Sequence, residues 1–302
     1  MTLAFTDRVA IVTGAGGGLG RAHALALAAR GARVLVNDLG GTTAGEGGSP
    51  MAAQKVVDEI VAAGGQAIAN GASVTDPAAV AEMVRQVMDA WGRVDILVNN
   101  AGILRDKSFA KMTLEDFRLV LDVHLMGAVH CTQAVWPIMV AQKYGRVVLT
   151  TSSSGLYGNF GQANYGAAKM ALVGLMQTLA IEGAKSDIRV NCLAPTAATR
   201  MTEGLMSAEV LAALKPEAVV PAMLWLACAD APTRAIACAG AGTFEAAHIT
   251  LTRGLHLGTG ADTPEQLAAA WAQVSDRSGE QVPGSGAAQG GNELTLAQAA
   301  RR

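Results

Sequence analysis

The chain has 302 residues, 51% of them hydrophobic and 16% charged, with a net charge of −2. That length supports one large α/β domain with a full core, and the composition excludes a disordered chain. No Lys/Arg cluster points to nucleic acid or to an anionic membrane, and no run of about 18 apolar residues predicts a membrane span, so a small-molecule partner is expected.

Arg8 to Thr13 reads as a strand and Leu19 to Arg30 as a helix, with Gly14, Gly18 and Gly20 in the turn between them. Glycines there let a backbone approach a pyrophosphate while the helix N-terminus supplies N–H donors. Mere packing of strand on helix is the plainer alternative. Ala32 to Asn37 is a second strand, ending at Asp38, twenty residues past Gly18, where a carboxylate can accept from ribose hydroxyls and would repel a 2′-phosphate. No cation stands among residues 14–20 or 39–50, which favours NAD over NADP. The 39–50 segment reads as a lid or as a surface excursion.

Met51 to Ala63 predicts a helix, Gln66 to Asn70 a strand, Ala78 to Trp91 a helix capped by Asp76 and Pro77, and Asp95 to Val98 a fourth strand. Thr113 to Gln142 predicts one long helix, with Thr113 as N-cap. Gly145 to Thr150 is a fifth strand, 160–182 a helix, Ile188 to Leu193 a sixth strand and Glu217 to Ala229 a helix; Thr243 to Ala247 closes the set as a seventh strand. Met201 to Leu214 is rich in Met and Leu, which suits an apolar substrate or simple helix packing. The four cysteines show no Cys-x-x-Cys spacing, which fits a reducing cytoplasm. His23, His130, His248 and His256 have no metal-ligand spacing, so no metal is expected.

Tyr165 and Lys169 lie four residues apart, hence one turn apart on one helix face, where an ammonium can pull a phenol pKa below its usual value near 10. Ser152 precedes them by thirteen residues at the end of a strand. An ordinary amphipathic pair explains Tyr165 and Lys169 equally well in isolation.

Ser152, Tyr165 and Lys169, with Thr13-Gly14-Ala15-Gly16-Gly17-Gly18-Leu19-Gly20 and Asn99-Asn100-Ala101-Gly102 upstream, resemble the short-chain dehydrogenase/reductase family over residues 5–245. The resemblance implies a doubly wound Rossmann-type parallel α/β sheet of about seven strands with helices on both faces. It implies Ser152, Tyr165 and Lys169 as catalytic residues. Around the dinucleotide it implies Gly14, Gly18, Leu19, Gly20, Asp38, Asn100, Ala101, Gly102, Tyr165, Lys169, Pro195 and Thr199, and Ser73 and Val74 where relatives have Asp-Val.

Many family members carry a catalytic Asn where this chain has His124. His124 is expected to serve the same water-bridged proton path toward Lys169, to titrate near neutrality in its own right, or to be a packed core residue. Val36 to Gly41, His124, the 158–165 run and the Thr263-Pro264-Glu265 tail resemble the (3R)-hydroxyacyl-CoA dehydrogenase branch that occurs fused in peroxisomal multifunctional enzymes of type 2.

The expectation is therefore NAD-dependent oxidation of a 3-hydroxyacyl-CoA in a homodimer or homotetramer, with Leu156, Tyr157, Phe160, Met201 and Leu205 at the substrate. A hydroxysteroid or other bulky secondary alcohol, and a non-catalytic NAD-binding scaffold, are the alternatives. By domain, 1–245 is catalytic, 246–275 an extension packed on it, and 276–302 an unstructured tail.

Overall fold

The computed structural model describes residues 3–42, 44–47, 49, 51–198 and 207–301. Eight strands form one sheet: β1 (Val9–Thr13), β2 (Arg33–Asn37), β3 (Gln66–Asn70), β4 (Ile96–Asn99), β5 (Gly145–Thr150), β6 (Ile188–Thr196), β7 (Ile236–Gly240) and β8 (Thr243–Ala247). Their order is β3-β2-β1-β4-β5-β6-β7-β8, and every pair from β3 through β7 is parallel. The chain winds outward in both directions from β1, so the crevice between the loops after β1 and β4 is the switch point at which such sheets bind ligands.

The sequence explains why the sheet is buried on both faces. β1, β4 and β5 read Val-Ala-Ile-Val-Thr, Ile-Leu-Val-Asn and Gly-Arg-Val-Val-Leu-Thr, and every residue in them is buried. The helices are α1 (Gly18–Ala28), α2 (Met51–Ala62), α3 (Pro77–Trp91), α4 (Leu114–Leu121), α5 (Gly127–Gln142), α6 (Ser153–Tyr157), α7 (Ala163–Gly183), α8 (Ala208–Ala213) and α9 (Val220–Ala227). Val12, Leu27, Val34, Ile60, Leu193 and Met223 belong to the main core. Local signals set helix ends: Asp76 accepts from the Ala78 and Ala79 amides ahead of Pro77, and Gly92 ends α3 at φ 71°. Among the described residues no helix is long and apolar enough to cross a membrane.

Three expectations change. The expected 113–142 helix is interrupted, because Asp122–Met126 forms a π-helical turn between α4 and α5. Thr243–Ala247 is the eighth strand, and the seventh is Ile236–Gly240, whose two Ala and one Gly carry little strand propensity. Ala241 and Gly242, at φ 50° and 75°, make the two-residue turn that returns the chain beside it.

Residues to Ala246 form one compact unit and Ala247–Arg302 a second. The second holds α10 (Thr263–Val274) and α11 (Gly286–Ala299), so the stretch expected to be an unstructured tail carries a helix. Within this unit Leu251 and Gln281 exchange main-chain hydrogen bonds of 2.8 and 2.9 Å, and Asn292 Nδ2 donates to the Arg253 carbonyl at 3.2 Å. No described residue in the second unit is fully buried.

Candidate active site

β1 delivers Thr13 to the crevice, and its Oγ1 accepts from the Asn100 and Ala101 amides at 3.0 and 3.1 Å. Asn100 Nδ2 returns the tie, donating to the carbonyls of Thr13 and Gly14 at 3.0 Å each. This cross-bracing sets the turn that follows β1. Gly14 sits at φ 61°, and a Cβ there would lie 2.7 Å from Ala101 Cα. A Cβ at Gly20 would overlap the Gly14 carbonyl oxygen. Gly17 caps α1 with no side-chain hydrogen bond, leaving first-turn N–H groups for an anion.

At the end of β2, Asp38 is held from both sides. Oδ2 accepts from the Gly16 amide at 2.7 Å and Oδ1 from the Gly40 amide at 2.6 Å. These contacts aim the carboxylate along the rim of a cleft of about 550 Å³.

The same cleft reaches the ends of β5 and α7. Ser152 ends the extended segment after β5, caps α6 through the Ser154 amide at 3.2 Å, and lines the cleft together with Tyr165. Lys169 is one turn further along α7 and is buried, its Nζ donating to the Thr150 carbonyl at 2.5 Å and lying 5.5 Å from the Tyr165 ring centre.

Here the expected electrostatics is corrected. The Tyr165 phenol is raised above its ordinary value: burial dominates, the nearby Ser152 hydroxyl opposes it, and the Asp106 carboxylate adds to it. Lys169 is itself pulled down to about 7 by burial. An ammonium aimed at a carbonyl does not offset the cost of drying a phenolate.

His124 sits in the π-helical turn, buried, its ring edge-on to Tyr165 with centroids 5.2 Å apart. Nε2 lies 2.8 Å from the Ile103 carbonyl oxygen and 3.1 Å from the Ile103 amide nitrogen, and the shorter contact favours Nε2–H donating to the carbonyl. Nδ1 has no partner. Burial first, then the Lys169 charge, holds His124 well below 6.5, so it is neutral. A Cβ on Gly102 would overlap its ring. His124 and Lys169 also line a second cavity of about 10 Å³ with Thr13 and Asn99, about the size of one water.

Of the residues singled out in the sequence, Gly14, Gly18, Leu19, Asp38, Ser73, Val74, Asn100, Ala101, Gly102, His124, Ser152, Tyr165, Lys169 and Pro195 line the large cleft. Gly20 supports it from behind, through Gly14. Leu156, Tyr157 and Phe160 do not line it; Tyr157 and Phe160 are 74% and 91% exposed, because α6 and the following loop turn them outward. Thr199, Met201 and Leu205 lie outside the described residues.

The sequence reading missed Thr42, Gly45, Ile103, Asp106 and Gln162, which also line the cleft. Asp106 accepts from Gln162 Nε2 at 2.6 Å, and Asn164 Nδ2 donates to the Arg105 carbonyl at 3.0 Å, so the segment after Gly102 forms one wall beside Tyr165. The only signal for it was its position directly after Asn-Asn-Ala-Gly.

Residues 8–209 match the family model described as short chain dehydrogenase. The chain is 48% identical over 94% of its length to peroxisomal multifunctional enzyme A of Dictyostelium discoideum, and spans 64% of that protein. It is 48% identical over 92% of its length to a putative short-chain type dehydrogenase/reductase of Mycobacterium tuberculosis, of which it spans 97%. The structure of full-length peroxisomal multifunctional enzyme type 2 from Drosophila melanogaster superposes with a TM-score of 0.81 at 38% identity, covering 98% of this chain and 50% of that one.

Proposed function

Because the chain belongs to the short-chain dehydrogenase family, we propose that it oxidises the hydroxyl of a (3R)-3-hydroxyacyl-CoA to the 3-ketoacyl-CoA with NAD as acceptor. One observation carries the reading: Ser152, Tyr165 and Lys169 open together onto the cleft that also holds the glycine turn and Asp38. The names of the multifunctional-enzyme relatives supply the acyl-CoA class.

The residues fit a nicotinamide dinucleotide. Positions 14 and 20 leave no room for a Cβ, the first turn of α1 is free of a side-chain cap, and Asp38 offers a fixed carboxylate at the rim. The absence of Lys and Arg from 14–20 and 39–50 supports NAD over NADP. When bound, the nicotinamide supplies the hydride acceptor. Asn100 and Ala101 fix the turn, Ser73, Val74 and Pro195 wall the cleft, and Thr199 is the proposed partner of the carboxamide.

In this mechanism Ser152 holds the substrate oxygen, and Tyr165 first gives up its own proton and then, as the phenolate, takes the substrate's as general base. Lys169 supplies the positive charge that stabilises the phenolate when it forms, and passes the proton on. His124 stays neutral, fixed by Ile103, and shares with Lys169 a one-water cavity through which that proton leaves the dry site. Met201 and Leu205 are proposed substrate contacts.

The same reading places the enzyme in the cytoplasm, supported by four free cysteines. It also makes the protein a homodimer or homotetramer, supported by Val140, Met170 and Ile181 exposed on α5 and α7; light scattering tests the latter. The catalytic test is NADH formation by the purified chain with (3R)- and (3S)-3-hydroxyacyl-CoA and with hydroxysteroids. A clear preference in kcat/KM for the (3R)-thioester is expected, and an equal or higher value with a steroid would overturn the substrate assignment.

A further inference from the structure

The stretch between β2 and α2 is so rich in glycine that its composition fixes no conformation, yet the structure folds it. The Ser49 amide donates to the Leu39 carbonyl at 2.9 Å and the Thr42 amide to the Glu46 carbonyl at 2.8 Å, so the chain runs out and back. At the tip, the Gly45 amide donates to the Thr42 carbonyl at 3.0 Å and the Glu46 amide to Thr42 Oγ1 at 3.1 Å. The root is fastened to the dinucleotide site itself, through the Gly40 amide on Asp38.

The tip is caught from the opposite bank of the crevice. Arg105, in the loop after β4, donates Nε to the Ala44 carbonyl at 2.8 Å and approaches Glu46 Oε1 at 3.3 Å. Gly45 presses on the same loop so closely that a Cβ would lie 3.2 Å from Ile103 Cδ1. Arg105 is held in turn by Asp116 at 3.6 Å and by the bond between its own carbonyl and Asn164. Since β2 and β4 flank β1, a tie from residues 44–46 to Arg105 crosses the mouth of the switch-point crevice, and Thr42, Gly45, Ile103 and Asp106 line the cleft beneath it.

We propose that this excursion is a strap latched across the dinucleotide cleft, with Arg105 as the catch, and that opening the latch sets how fast the dinucleotide enters and leaves. Arg105 is thus a positioning residue. The exposed Arg105–Glu46 ion pair contributes little, whereas the half-buried bond from Nε to a main-chain carbonyl contributes more. A catch that holds the strap in the free and in the occupied protein alike obstructs entry and exit alike. Its signature is a change in both rate constants with little change in their ratio.

The inference rests on the nicotinamide reading, and the experiment separates the two. Stopped-flow fluorescence with NADH on the full chain gives both rate constants, and calorimetry gives Kd. Arg105→Ala should raise association and dissociation about tenfold each, the loss of one such bond, while Kd stays within about threefold. Arg105→Lys should recover part of the delay, and Glu46→Gln should move either rate less than about twofold. Gly45→Ala, which pushes the tip off Ile103, should speed both rates as well and stands in should Arg105→Ala fail to fold.

Rates unchanged in Arg105→Ala and Gly45→Ala, with NADH still binding, would overturn the latch and leave the nicotinamide reading intact. Faster release with unchanged association would also overturn it, making Arg105 a direct ligand contact. A wild-type chain that binds no NADH would defeat the nicotinamide reading first.

Discussion

His23 lies inside α1, fully buried, with neither ring nitrogen hydrogen-bonded. Burial alone pulls it from 6.5 down to about 4. The sign follows directly. Below about pH 6.5 the unfolded chain takes up a proton at this position that the folded chain refuses until about pH 4, so the folded state loses stability across that window. At pH 4.5 the loss from this residue is about 2.5 kcal/mol relative to pH 7.5, from ~1.4 kcal/mol per pKa unit.

His23→Leu removes the titration and two dry, unpaired nitrogens, and so should stabilise by about 1–3 kcal/mol even at pH 7.5. Urea unfolding of both proteins at pH 7.5 and pH 4.5 measures the gap between them. That gap should widen by about 2.5 kcal/mol at the lower pH. His124 and the carboxylates titrate in both proteins and cancel. Parallel stability profiles would show that the ring reaches water or a partner, and the reasoning would fail.

Tyr165→Phe should retain NADH affinity within about threefold and lose about 10²–10⁴ in kcat, read by calorimetry and initial rates; substantial turnover would remove Tyr165 from the mechanism. Burial raises Tyr165, and Tyr144 and Tyr157 are raised as well, so all three tyrosines of the dinucleotide-free protein should remain protonated to about pH 10. One equivalent of tyrosinate absorbance near pH 7 would show instead that Lys169 outweighs burial. Gly20→Ala drives a Cβ into the Gly14 carbonyl, a main-chain clash no rotamer relieves, and should cost about 1–3 kcal/mol in thermal unfolding along with the glycine turn's affinity for NADH. Asp38→Ala frees the Gly16 and Gly40 amides and lifts the charge facing a 2′-phosphate, so the NAD/NADP ratio of kcat/KM should fall roughly hundredfold; an unchanged ratio would place cofactor choice elsewhere.

Whatever depends on near neighbours along the chain was legible before any folding. Alternating runs of buried β-branched residues and amphipathic helices specify a doubly wound sheet, as in β1, β4 and α3, because burial on both faces demands unbroken apolar strands. The glycine turn and the Tyr165–Lys169 turn were legible for the same reason, each being set within a few residues. The rest is set by contacts between segments far apart in the chain.

Whether Lys169 lowers a phenol depends on how dry the site is and on the Thr150 carbonyl that claims the ammonium. His124 is a neutral ring because burial and the Lys169 charge hold it so while Ile103 fixes its orientation, and the Ala44 carbonyl is held by Arg105 from across the crevice. Tyr157 and Phe160 are apolar enough to meet a substrate and yet stand exposed outside the cleft, a direction no composition records. Desolvation and long-range hydrogen bonds exist only after the chain has packed, and spacing along the sequence therefore cannot carry them.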